Sequence, residues 1–283
     1  MARRIKISSG VLNVRLHPHP EGIYGEFIEA IYQLRRPVRI RGDRYAMLSL
    51  LSRTEANDGI YTGLITTFTK IDTTEPWFDT DNLKEASEKD ISRISIPDSL
   101  HPNATSFHFL FDARRHRFYV QTYSKGRTLS VRSAQRMLGG LAADLAITRR
   151  FNEAVIDIVQ SKAGLEAVFA LTVIKRVTVT LTKPNADVFD DDFDENIEGF
   201  LEELHSKKLT LIVEAEPRQS ITPNEGLRRV SRSALEHGSV KTEGRDEQGA
   251  TQRSTDDYPE DLHDKYDPDA VSETHAFRQL TGR

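Results

Sequence analysis

The strongest constraint in this chain is alternation. In "FHFLFDARRHRFYVQ" (107–121), apolar and polar side chains swap at nearly every residue on both sides of a short basic run. "RYAMLSLLSR" and "GIYTGLITTFTKI" flank Asn57-Asp58-Gly59, and "IKRVTVTLTK" alternates until Pro184-Asn185 stops it. A period of two with Asp-Gly or a charged turn between the runs predicts antiparallel hairpins with one face buried. Phe107, Phe109, Phe111, Phe118 and Val120 are the side chains expected in that core.

Other stretches carry a helical period. Ile23, Phe27, Ile31 and Leu34 recur at spacings of four, four and three, and Met137, Leu138, Leu141 and Leu145 share one face of a helix over about 131–150. "DDDFDENIEGFLEELHSK" predicts a helix with Phe193, Ile197, Phe200, Leu201 and Leu204 turned inward. A further helix has Thr222 as N-cap, Pro223 and Glu225 in its first turn and Gly238 past its end, with Leu227, Val230, Ala234 and Leu235 as its apolar face. Pro76-Trp77-Phe78 and "SRISIP" offer short apolar anchors in the loop-rich stretch 72–104. Hairpins beside helices predict an α+β fold, with mixed, largely antiparallel sheets covered by amphipathic helices. The expected organisation is an N-terminal α+β part with hairpins (1–155), a second α+β part (156–244), and an acidic polar tail or irregular cover (245–283).

Composition excludes several chemistries. With no cysteine, disulfides, thiol nucleophiles, iron–sulfur clusters and the usual zinc sites fall away. No Gly-x-x-x-x-Gly-Lys loop, Gly-x-Gly-x-x-Gly turn, Gly-x-Ser-x-Gly elbow or His-Glu-x-x-His helix is present. The N-terminus lacks a continuous apolar core and no stretch is long enough for a bilayer span, so a cytoplasmic protein without membrane attachment is expected.

Charge is unevenly spread. Residues 112–150 hold nine Lys/Arg against two Asp/Glu, whereas 241–283 hold six against eleven. Arginine forks match phosphate geometry, so Arg114, Arg115, Arg117, Arg127, Arg132 and Arg136 are the candidate nucleic-acid contacts, for DNA or RNA, with Tyr119 or Tyr123 available for stacking. Arg35, Arg36, Arg39, Arg41 and Arg44 form a second basic group, and Arg228, Arg229 and Arg232 a third. Each group taken alone reads first as a solvated face or as cations at helix and turn ends, and it is the groups together with the local positive balance that point to a polyanion. A metal-dependent nuclease or toxin is the alternative: Asp144 and Asp157 would hold Mg²⁺ and Lys162 would polarise water or phosphate. Otherwise no cofactor is expected. The acidic run Asp187–Glu195 reads as helix-start carboxylates or as a cation site. A third reading is an oligomeric interaction module, a homo-oligomer or one docking a protein partner encoded nearby.

The stretches "GLITTFTKID…PWF" (63–78), "LFDARRHRFYV" and "TLTKPNAD" (180–187) resemble an uncharacterised bacterial family, a domain of unknown function from accessory and mobile-element loci. Such loci hold phage-defence and toxin-type genes. The resemblance implies a bacterial cytosolic protein with a role in defence, and it supplies no catalytic residues.

Overall fold

In the computed structural model, which describes residues 4–17, 20, 22–183, 199–201 and 203–282, the alternating runs build two antiparallel sheets. The chain opens with β1 (Ile5–His17), α1 (Ile23–Gln33), β2 (Val38–Arg41), β3 (Arg44–Glu55) and β4 (Ile60–Thr69). Short β5 (Phe78–Asp79), β6 (Lys84–Glu85) and α2 (Glu88–Ile91) precede β7 (Thr105–Asp112), β8 (Arg117–Ser124) and β9 (Arg127–Thr128). Then come α3 (Val131–Ala142), α4 (Leu145–Phe151), β10 (Glu153–Ile158), α5 (Lys162–Phe169), β11 (Val173–Thr182) and β12 (Lys208–Glu214). Helix Glu225–His237 leads into β13 (Gly238–Asp246), β14 (Gly249–Ser254), β15 (Asp261–Tyr266) and the last helix, Glu273–Leu280.

The larger sheet has nine strands along the path β10-β1-β8-β7-β4-β3-β2, with β15 on β1 and β9 on β8. Its spine is β1. One edge of β1 pairs with β8, while the other is shared: Ile5–Gly10 against β15, Leu12–His17 against β10. The pleat sorts side chains to two faces. Leu12, Val14, Leu16, Phe107, Phe109, Phe111, Phe118 and Val120 pack under α1, α3 and α4, with Phe109 stacked on Phe118 at 4.9 Å between centroids. Ile7 and Leu110 point the other way, onto Ala276 and Phe277 of the last helix. The α+β expectation and the hairpin core are therefore observed.

The smaller sheet runs β12-β11-β13-β14. Val177, Val179, Leu181 and Val240 form its core with Leu165 and Val168 of α5 and with Ala234 and Leu235.

Several expectations need correction. The single helix over 131–150 is two, because Ala143 ends α3 and the Asp144 carboxylate accepts the Ala146 amide to start α4. Helix Glu225–His237 is capped by Asn224, whose side chain accepts from the Leu227 amide at 2.8 Å, so Thr222 and Pro223 lie outside it. Phe200 and Leu204 are exposed rather than inward, Leu201 alone of the described set being buried; Phe193 and Ile197 lie outside the described residues. Phe78 is also exposed and anchors nothing. The stretch 245–283 is not an irregular cover: β14 extends the smaller sheet, β15 the larger, and a helix follows. β15, "DLHDKY", is held by main-chain pairing at an edge with few buried side chains, so it leaves no hydrophobic period to read.

The two sheets meet at a polar seam. Arg15, fully buried on β1, donates through Nη1 to the carbonyls of Thr182 (3.3 Å) and Lys183 (2.6 Å). Its Nη2 reaches Thr182 Oγ1 at 2.6 Å and pairs with Asp157 on β10. Asn13, two residues earlier and on the same face, donates to the Glu236 carbonyl at 3.2 Å and to His237 Nδ1 at 3.3 Å. Burial lowers the Arg15 pKa and raises that of Asp157, and their mutual attraction opposes both shifts. His237 is pushed down to about 3 by burial first, then by the Arg15 and Arg117 charges, so it stays neutral and Nδ1 serves as an acceptor.

Two outcomes test the seam. Replacing Arg15 by Met strands a partly buried carboxylate and leaves the Thr182 and Lys183 carbonyls without their donor, and about 3 kcal/mol of stability, the low end for a buried pair, should disappear in urea unfolding. The Arg15→Met/Asp157→Leu double variant should recover most of it, and a single-variant loss below about 1 kcal/mol would contradict this role. His237 has its lowered pKa only when folded, so its contribution is intact above pH 6.5 and is lost as pH falls toward 3. Stability should drop by up to about 1.4 kcal/mol per pH unit in that window, and His237→Gln should flatten the profile measured between pH 7 and 5.

Candidate functional site

The basic hairpin tip is consumed by its own turn. Asp112 accepts the amides of Arg114 and Arg115, both at 3.1 Å, and holds the reversal between β7 and β8. The Arg114 guanidinium donates to the Asn57 carbonyl at 3.1 Å. His116 adopts φ 57° and is buried against the Tyr24 ring, 3.8 Å between centroids. Arg117 turns into the seam and pairs with Glu236. Arg115 remains exposed.

A different surface gathers cations. The β2–β3 turn is made by Gly42 at φ 51°, and the β8–β9 turn by Lys125 and Gly126 at φ 47° and 82°. Both positive-φ residues between β8 and β9 suit a tight hairpin of matching twist. These turns bring Arg41 and Arg44 beside Arg127, around a cavity of about 370 Å³ that also meets Thr67, Ser130 and Ser133. Arg44 Nη2 is steadied by Thr67 Oγ1 at 2.8 Å. Ser130 caps α3 by accepting from the Ser133 amide, so the positive end of that helix dipole borders the same cavity. Among the described residues, no carboxylate lines this cavity and none pairs with the Arg41 or Arg127 guanidinium. Arg136, one turn along α3, donates to the Ile40 carbonyl at 2.5 Å and holds β2 in place.

Of the six expected contacts, Arg127 therefore lies in the cleft and Arg136 supports it. Arg132 instead donates to the Asp256 carbonyl at 3.1 Å, toward the smaller sheet. Arg114 and Arg117 are spent on the turn and the seam. Arg41 and Arg44, grouped apart in the sequence, complete the cleft. In the third group, Arg228 pairs with Glu166 at 3.0 Å and Arg232 with Glu225.

The nuclease candidates are not assembled as a metal centre. Asp144 caps α4 and pairs with Arg36 at 2.5 Å. Asp157 is the counter-charge of Arg15, and Lys162 opens α5 behind its Ser161 cap. Among the described residues, no group of three or more histidines and carboxylates is placed to hold a metal ion, and the Asp187–Glu195 run lies outside them. No described helix is long and apolar enough to cross a membrane.

Comparison with known families finds a match. A family model described as a domain of unknown function (DUF4747) covers residues 5–282, so the chain belongs to that family. No curated protein matches it.

The cap role of Asp144 has a measurable consequence. Asp144→Ala should cost about 1 kcal/mol of stability in urea, in the range usual for an N-cap. The loss should be the same with and without Mg²⁺; a loss confined to Mg²⁺-containing buffer would restore the metal reading.

Proposed function

Taking membership of a family with no assigned activity as the premise, we propose that this protein binds nucleic acid through its phosphates, without catalysing a reaction. The observation that carries the reading is the convergence of Arg41, Arg44 and Arg127 on one concave, carboxylate-free surface. Guanidinium groups offer paired donors in a fixed fork and are weakly hydrated, so they suit phosphate oxygens better than lysine does. The Ser133 hydroxyl supplies a neutral donor to the same volume, whereas Thr67 Oγ1 donates to the Thr105 carbonyl and Ser130 Oγ to Ser133 Oγ. A setting in bacterial phage defence belongs to the proposal, drawn from the family resemblance.

The experiment is fluorescence anisotropy with labelled single- and double-stranded DNA and RNA across about 50–200 mM salt. Log affinity should fall linearly with log salt, and each of Arg41→Ala, Arg44→Ala and Arg127→Ala should reduce the slope by roughly 0.7–0.9. Arg115→Glu, at the hairpin tip, should leave the slope nearly unchanged. Absence of binding at the lowest salt, or an unaltered slope in the triple alanine variant, would refute the reading. Plaque counts on cells carrying the wild-type chain or that triple variant test the defence setting.

A further inference from the structure

The smaller sheet ends on one side at β12, and among the described residues no strand pairs with its outer edge. Unpaired strand edges template further pairing, and proteins blunt them with charge, proline, bulges or shortness. The opposite edge of this sheet is blunted: β14, "GATQRS", has no aliphatic side chain larger than alanine. β2, an edge of the larger sheet, has four residues, two of them arginines, and a register shift. β12, "KLTLIVE", has none of these devices between its ends. It pairs with β11 over seven residues without a shift, and it leaves Leu211 and Ile212 38% and 57% exposed.

Main-chain hydrogen bonds settle which groups of this strand face outward. The Lys183 N–H donates to the Lys207 carbonyl and the Ala215 N–H to the Lys175 carbonyl, so the odd-numbered residues of this stretch bond inward to β11. The bonded direction alternates in an antiparallel pair, so Lys208, Thr210, Ile212 and Glu214 turn their N–H and C=O groups to the free edge. We propose that this edge pairs antiparallel with β12 of a second copy of the chain, about a two-fold axis at Leu211, joining two four-stranded sheets into one. Charge selects this occupant and this register. The outward-facing set begins at Lys208 and ends at Glu214, and centring on Leu211 sets Lys208 opposite Glu214 of the partner subunit at both ends. Lys208 is exposed, and the Glu214 side chain is 61% exposed beyond its bond to Arg176. Thr210 then faces Ile212 of the partner subunit, while on the core-bearing face Leu209 meets Val213 of the partner subunit and Leu211 meets its own copy. An in-register parallel pairing would instead stack lysine on lysine and glutamate on glutamate, which repel.

The proposal does not rest on the Arg41–Arg44–Arg127 cleft, which belongs to the larger sheet, and its test needs no nucleic acid. Sedimentation equilibrium of the full chain across about 1 μM to 1 mM should show a monomer–dimer equilibrium. Thr210→Pro removes an outward N–H that β11 does not use, so in dilute solution the urea midpoint should stay unchanged. The same variant should raise the dimer Kd about tenfold or more. Lys208→Glu and Glu214→Lys should each weaken dimerisation, and an equimolar mixture of the two should restore it, since the mixed pair has opposite charges at both ends. Because the chain has no cysteine, Leu211→Cys introduces a lone thiol whose Cα lies about 4.5 Å from its copy, within reach of a disulfide. Ile212→Cys sets the two Cα atoms roughly 7–8 Å apart, beyond that reach. Under mild oxidation Leu211→Cys should therefore give a covalent dimer about tenfold faster than Ile212→Cys. A chain that stays monomeric throughout overturns the proposal and leaves the edge to an occupant other than a second copy. A dimer that Thr210→Pro leaves intact, or one that cross-links equally through both cysteines, overturns it as well.

Discussion

A guanidinium sealed between two sheets dictates how they meet. Arg15 cannot be left in the interior without partners, because desolvating an unpaired charge costs far more than any single contact returns. It finds them only where the end of β11 presents the Thr182 and Lys183 carbonyls and β10 presents Asp157. Those three points belong to different sheets. A slip of β1 by one residue would turn Arg15 to the opposite face and Leu16 into the seam, so the ion pair also fixes register. Hydrophobic area holds each sheet to its own helices, whereas the polar seam sets their relative placement.

The same seam explains why polar atoms are orphaned there. Gln160 sits on the short link between β10 and α5; its amide nitrogen donates to the Gly238 carbonyl and its backbone N–H to that of Leu235. Arg117 comes from β8 of the larger sheet and meets Glu236 from the helix of the smaller one. Residues bridging two rigid sheets cannot satisfy every donor and acceptor at once. What remains is buried hydrogen-bonding capacity left unspent at the seam.

Legibility in the sequence followed the range of the interactions concerned. The hairpins around Asp58-Gly59 and Asp112–His116 rest on neighbouring residues and on side-chain alternation, and both were readable. The break at Asp144 and the cap at Asn224 were not, since each competes with an equally plausible polar residue one turn away, and the amide that finds the oxygen decides. β15 was illegible because its stability comes from the exposed backbone edge of β1, some 250 residues earlier. Arg15 is illegible for a related reason. In "NVRLH" an arginine between apolar residues reads as the solvent side of a strand, and only the second sheet makes that side an interior.

The arginines carry the same point to the candidate site. Grouping cations by position along the chain assumes that neighbours in sequence share a surface. At the 112–117 turn they do not: one guanidinium braces a carbonyl, another enters the seam and a third stays in solvent. Arg41 and Arg127 do share a surface, because glycine-containing turns at Gly42 and Gly126 end two hairpins at the same side of α3. The informative signal for the proposed anion site is thus the pairing of basic residues with turn glycines, "RGDR" and "KGR", and not the local charge density. Density marks where cations are spent as readily as where they are available. The proposed phosphate site needs guanidinium groups that the fold has left without a carboxylate, and here those come from two short turns that the sheet brings together.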